Sequence, residues 1–282
     1  MNMLKIAYID IGELGWSLYL SAHLRWLKEN TAYSLAIVTS SNRRCLYQDL
    51  VDLILDIPHD FYEKFTEEPC CFGLYPLRRE ELREYFQKML PFGYVIPGRF
   101  NFGCEYNFLQ NKVIYKPYEY SKKLEGKKKI LILPRYRKHA IMSYANVPKS
   151  FYITLIKVLC DEFSDYEIKT RGLNPGSYNI LNDEIRKSNY LSGVREDASL
   201  QDTIDECQLA KVALGSQSSL PKIALLQGVP TFIIGHERDR HARRENWMNT
   251  KVEYYEVAKD SYANFDFKDC LSKIMNFTRE YA

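Results

Sequence analysis

KIAYIDIGELGWSLYLSAHLRWL, residues 5–27, is an apolar run that meets an acid, turns through glycine and re-emerges with a different period. Lys5 to Asp10 reads as a buried strand. Beyond it Trp16, Leu20, Leu24 and Leu27 recur at spacings of four, four and three, which is one stripe of a helix. Glu13 stands between Gly12 and Gly15, where strand gives way to helix. Strand, glycine turn and helix open a parallel βαβ unit. The chain continues in the same grammar: YSLAIVTS (33–40) is a second strand, and LVDLILDIP (50–58) holds a third that stops at Pro58.

From about 60 to 120 the pattern blurs. PLRREELREYFQKML (76–90) predicts a charged helix that buries Leu77, Leu82, Phe86 and Leu90. PFGYVIPGRFNFGCEYNF (91–108) has no clean period and reads as loops with a short strand; KVIYKPY (112–118) reads as another strand. YSKKLEGKKK then breaks the apolar pattern, as a domain boundary does. The expectation is a first domain over 1–120, a linker over 121–128 and a second domain over 129–282.

The second half restarts with the strand KILILP (129–134). The helix NVPKSFYITLIKVLCDEF (146–163) follows, with Pro148 in its first turn, where a missing N–H does no harm. YEIKTRG (166–172) is a strand, and SLQDTIDECQLA (199–210) is a helix that opens on a capping box of Ser199 and Asp202. KVALGS is a strand, SLPKIALLQG a helix ending at Gly228, VPTFIIG (229–235) a strand, and DFKDCLSKIMNFTREYA the closing helix. Two α/β halves of similar size predict two domains facing a cleft, with ligands beyond the carboxyl ends of the strands.

The 282 residues are 46% hydrophobic and 27% charged, as in a soluble globular protein. A net charge of +3 is too small to argue for nucleic acid, although basic residues cluster at 122–129, 135–139 and 238–244. No amino-terminal signal is legible, and no run approaches the ~20 apolar residues that span a bilayer. That leaves peripheral contact as the membrane role compatible with the sequence. Seven cysteines, two of them the adjacent Cys70 and Cys71, have no metal or redox spacing; a reducing cytoplasm with free thiols is expected. His236 and His241 fall in no metal-binding pattern, so neither metal nor cofactor is expected.

Two strand-to-helix turns carry the chemistry. In GSQSSLPK (215–222) a helix start combines Ser216, Gln217, Ser218 and Ser219 with Lys222. A cation in a first turn opposes the helix dipole, and a bound phosphate reverses that sign. In PRYRKH (134–139), Arg135, Arg137 and Lys138 follow the first strand of the same half and so belong to the same sheet edge. Arginine offers a fork and lysine a point charge to phosphate oxygens. Arg240, Arg243 and Arg244, in GHERDRHARRENW (235–247), read either as a solvated loop or as a flap that grips an anionic ligand. In the other half Glu13 is either a helix cap or a general base, with Asp10 as the alternative base.

This layout resembles a GT-B glycosyltransferase, most closely the heptosyltransferase family that uses ADP-heptose. The likeness runs over nearly the whole chain in order. Gly12-Glu13 stands at the family's Gly-Asp pair, whose acid is the presumed base. Lys138 in LPRYRKHAIMSYANVPKS matches the basic residue of the family's phosphate loop. GSQSSLPKIALLQGVPTFIIG follows the family's Asp-Ser/Thr-Gly…His helix and its Gly-x-Pro strand, with Ser216 in place of Asp and Pro221 in place of His. The resemblance implies two Rossmann-like domains, with the acceptor bound by the first and a nucleotide-sugar donor by the second. The last helix, about 266–280, would pack back on the first domain. It also implies inverting, metal-independent transfer to an acceptor hydroxyl of a saccharide or another compound. Three alternatives stay open: transfer to a nucleic-acid base, which the modest charge disfavours; a polysaccharide pyruvyltransferase-like enzyme; and a non-catalytic nucleotide-sugar or anion-binding module.

Overall fold

The computed structural model describes residues 4–10, 14–58, 61, 79–90, 93–97, 128–137, 146–173, 176–236, 250–258 and 261–282. The chain divides into two compact units, Met1–Tyr115 and Lys116–Ala282.

The first unit is a four-stranded sheet in the order β3-β2-β1-β4. Its strands are β1 (Lys5–Ile9), β2 (Ser34–Thr39), β3 (Leu53–Asp56) and β4 (Tyr94–Pro97), all paired in parallel. Helix α1 (Leu14–Asn30) links β1 to β2, and a 3-10 segment (Ser41–Leu46) follows β2. Gly15 is the second residue of α1 rather than part of a preceding turn. Alternate strand residues Ala7, Ile9, Ala36 and Val38 form a core with Val95 and with Leu82 and Phe86 of α2 (Arg79–Met89), and Leu90 packs at its margin. The expected buried stripe of α2 is therefore present at these three positions; Leu77 and the expected strand at 112–118 lie outside the described residues.

The second unit is a six-stranded sheet in the order β12-β11-β10-β5-β6-β8. Every pair is parallel. Its strands are β5 (Lys129–Leu133), β6 (Glu167–Thr170), β8 (Tyr190–Leu191), β10 (Ala210–Ser216), β11 (Thr231–Gly235) and β12 (Val252–Glu256). The short strands β7 (Gly172–Leu173) and β9 (Val194–Arg195) pair separately. Strands buried on both faces read as continuous apolar runs. On one face Ile130, Ile132, Val212, Leu214, Phe232 and Ile234 meet α3 (Lys149–Glu162) and α7 (Phe267–Tyr281). The short α4 (Asn182–Ile185), α5 (Leu200–Leu209) and α6 (Ser219–Leu226) complete the unit.

Helix α7 buries Cys270, Ile274, Met275 and Phe277 in this unit's own core. Arg279 at its end makes a two-point contact with Glu162 of α3. Pro148 is the residue before α3 rather than inside its first turn. No described helix is long and apolar enough to cross a membrane. Among the described residues Cys160, Cys207 and Cys270 are free thiols.

The expected capping box forms at the start of α5: Asp202 N donates to Ser199 Oγ at 3.0 Å, and Ser199 N to Asp202 Oδ2 at 3.0 Å. Ser199→Ala should cost about 1 kcal/mol, the usual loss for an N-cap serine. Chemical denaturation of the two proteins side by side measures it.

Candidate functional site

In an open parallel sheet ligands bind where the strand order reverses. The second unit reverses between β5 and β10. From β5 the chain proceeds to β6 and β8 on one side, and from β10 to β11 and β12 on the other. The residues that leave these two strands are the predicted phosphate-binding segments: Arg135 to Arg137 after β5, and Ser216 to Lys222 at the end of β10 and into α6. One sheet edge thus brings together Arg135, Arg137, Ser216, Gln217, Ser218, Ser219 and Lys222. Lys138, Arg240, Arg243 and Arg244 lie outside the described residues.

Two serine hydroxyls at this edge are buried and under-bonded among the described residues. Ser216 is fully buried, and neither its Oγ nor that of Ser218 has a hydrogen-bond partner among the described residues. The same holds for Ser177 Oγ and Tyr152 OH. Burial pushes the Tyr152 phenol well above its ordinary value, and the neighbouring Ser216 hydroxyl pulls it partly back. A buried hydroxyl left unbonded costs about 1–3 kcal/mol. Ser218 precedes α6 with extended backbone, and its side chain does not cap the helix. The first-turn N–H groups of α6 therefore keep no cap from Ser218, and Pro221 contributes none.

Other predicted ligands are tied to the chain itself. Arg135 is buried, and its Nη1 donates to Asn146 Oδ1 at 3.0 Å. Asn146 also clamps the Arg137 backbone, accepting from its N at 3.0 Å and donating to its O at 2.7 Å. Gln217 Oε1 accepts from His236 N and from Tyr254 OH, both at 2.9 Å, and so ties the ends of β10, β11 and β12 together. These bonds had no sequence signal, because their partners lie far along the chain.

A cavity of about 400 Å³ lies elsewhere, among Lys169, Arg171, Arg195, Asp202, Asp205 and Glu206. Its cations are paired: Lys169 with Glu206, Arg171 with Asp202 at 3.1 Å, and Arg195 with Asp202 at 3.6 Å. A lining whose three cations are matched by three acids does not suit a diphosphate, so the switch point remains the candidate.

In the first unit the order reverses at β1, which lies between β2 and β4. Asp10 follows β1 and is buried. Its Oδ1 accepts from Ser17 Oγ at 2.9 Å, and its Oδ2 from Thr39 Oγ1 at 2.8 Å and Tyr47 OH at 2.9 Å. Buried Arg43 places Nη1 3.5 Å from Asp10 Oδ1 and 2.8 Å from Ser17 Oγ. Both carboxylate oxygens are thus engaged in holding β1, α1, β2 and the 3-10 segment together, which leaves Asp10 poorly placed to take a proton from a substrate. Glu13, the other candidate base, lies outside the described residues. Removing one member of a buried ion pair typically costs about 3–5 kcal/mol, because its partner is left buried and uncompensated. Asp10→Ala should lower stability by that order, read by urea unfolding. A residue acting as base alone would lose turnover with little change in the unfolding midpoint.

The sequence matches no protein-family model and no curated protein. Solved structures do match. E. coli ADP-heptose LPS heptosyltransferase II is similar over 99% of this chain and 100% of its own, with a TM-score of 0.60 at 13% identity. A glycosyl transferase of family 9 from Veillonella parvula gives 0.62 at 9% identity, over 99% of both chains. E. coli heptosyltransferase WaaC with ADP-2-deoxy-2-fluoro heptose gives 0.58 at 9% identity, over 99% of this chain and 100% of that one. At these identities the likeness is one of fold: the chain has, over nearly its whole length, the GT-B fold of two Rossmann-like domains found in heptosyltransferases.

Proposed function

We propose that the protein is an inverting, metal-independent glycosyltransferase that moves a sugar from a nucleotide-sugar donor to an acceptor hydroxyl. The observation that carries the reading is the pair of buried hydroxyls of Ser216 and Ser218, unbonded among the described residues, at the strand-order reversal beside the start of α6, which Ser218 does not cap. Hydroxyl donors, first-turn N–H groups and the nearby charges of Arg135 and Lys222 are what a diphosphate needs. The likeness to heptosyltransferases, one of them solved with an ADP-sugar analogue, supports a nucleotide-sugar as the molecule that carries it.

In this reading the second unit holds the donor and the first the acceptor. The acceptor oxygen attacks the anomeric carbon from the face opposite the diphosphate. Its proton passes to Glu13, and the carbon–oxygen bond to the diphosphate breaks with its electron pair on the leaving oxygen. Inversion follows from the single displacement. The charge that develops on the diphosphate meets the N–H groups of α6, Lys222 and, from beneath, Arg135, an electrostatic stabilisation of the departing group.

Two measurements test this. Thermal shift against a panel of nucleoside diphosphates should single out one base, because stabilisation grows with the ratio of ligand concentration to Kd. Lys222→Ala should weaken that binding. In a donor-turnover assay Glu13→Gln should lower kcat at least about a hundredfold, within the range of a placed general base, while nucleotide affinity stays nearly constant. Wild-type turnover by Glu13→Gln would make Glu13 a helix cap.

A further inference from the structure

Three tyrosines climb from the core of the second unit to its surface beside Arg135. Tyr152 on α3 is buried, and its ring centroid is 6.2 Å from that of Tyr178. Tyr178 lies 4.7 Å from Tyr136 with the planes inclined by 36°. Tyr178 and Tyr136 are both half-buried. The backbone fixes the outer pair: Tyr136 N donates to Gly176 O at 3.1 Å and Tyr178 N to Pro134 O at 2.8 Å, and Arg135 and Ser177 form an antiparallel bridge between them. Asn146 holds the next residue, Arg137, through its backbone N and O. A Cβ on Gly172 would lie 2.0 Å from Ser177 Oγ, so a glycine there is what lets the 176–178 segment close down on the sheet.

The result is a row of three inclined rings, 36° and 53° between neighbours, whose last member, Tyr136, stands in the turn that leaves β5 at the strand-order reversal. Burial alone would be met by any apolar side chain at position 136. A flat ring, backed by a second ring and locked by the backbone, suits a planar group laid upon it. A nucleoside diphosphate carries such a group tethered to its anion.

We propose that Tyr136, backed by Tyr178 and Tyr152, is the platform on which the nucleobase of the donor stacks. The assignment rests on the nucleotide-sugar reading, and it places the base beside the β5 turn and the diphosphate over the start of α6. Base–aromatic stacking tolerates any base. The platform therefore supplies affinity, and the choice among bases falls to groups at the rim of the stack.

Calorimetry on the full chain with ADP, UDP, inorganic pyrophosphate and glucose 1-phosphate tests it. At least one nucleoside diphosphate should bind wild type more tightly than pyrophosphate does. Tyr136→Leu should weaken that nucleotide about tenfold, in the range of one stacked base, and leave pyrophosphate unchanged; Tyr136→Phe should keep wild-type affinity. Ligand-free melting of Tyr136→Leu and Tyr136→Phe separates a lost platform from a damaged fold. Equal losses for nucleotide and pyrophosphate, or no loss for either, would overturn the platform. So would a loss confined to glucose 1-phosphate, which would make the ring a pyranose subsite. A wild type that binds pyrophosphate but gains nothing from a nucleoside loses the platform and keeps the anion site. One that binds none of the four loses the nucleotide reading as well.

Discussion

A parallel strand cannot be reached by a tight hairpin; the chain must cross the sheet and return, and it does so with one hand. Wherever successive crossovers leave in opposite directions, the loops at the strand ends part. In the second unit this happens between β5 and β10, and in the first at β1. The two reversals are filled in opposite ways. At β1 the buried carboxylate of Asp10 is saturated by Ser17, Thr39, Tyr47 and Arg43. Between β5 and β10 the hydroxyls of Ser216 and Ser218 are left unbonded among the described residues. The same topological constraint yields a structural anchor in one unit and the proposed ligand edge in the other.

Most of the fold was legible because the buried faces carry it. The helical stripe of Leu20, Leu24 and Leu27, the apolar runs of KIAYID and YSLAIVTS and the Ser199–Asp202 box all depend on neighbours within a few residues, and each has its counterpart in α1, β1, β2 and α5. What was missed is short or exposed. Strand β12, VEYYE, is half-buried or exposed at every position, as an edge strand is, and shows no apolar run. Strands β7, β8 and β9 are two residues each, below the length at which periodicity has meaning.

The site was legible in part, because residue type announces chemistry and not partnership. Arginine after a strand suggests a phosphate ligand, yet Arg135 is committed to Asn146, and Arg137 has its backbone N and O clamped by the same asparagine. Gln217 reads as a donor contact, while its side-chain oxygen joins three strand ends. Asp10 and Glu13 differ by three positions and look alike in sequence; only the tertiary bonds to residues 39, 43 and 47 separate a structural carboxylate from a candidate reagent. The tyrosine cluster had no signature either, because Tyr136, Tyr152 and Tyr178 are brought together by the β5–α3–β6 crossover.

The bonds that took residues away from direct binding make binding cheaper in another way. A Cβ on Gly235 would fall 2.1 Å from Tyr254 OH and 2.5 Å from Gln217 Oε1, so the glycine permits the junction that locks β10, β11 and β12 at their ends. Asn146 does the same for the turn after β5. Ordering loops and side chains on binding costs about 0.5–1.5 kcal/mol for each immobilised side chain, and an edge held by its own hydrogen bonds has little left to order. The cost appears instead in the free protein, as buried serine hydroxyls without partners at about 1–3 kcal/mol each. A chain selected for stability alone would have replaced Ser216 by alanine, which fits the same buried position without an orphaned hydroxyl. Its presence beside a helix start that Ser218 leaves uncapped is the physical argument for the proposed ligand site at this edge.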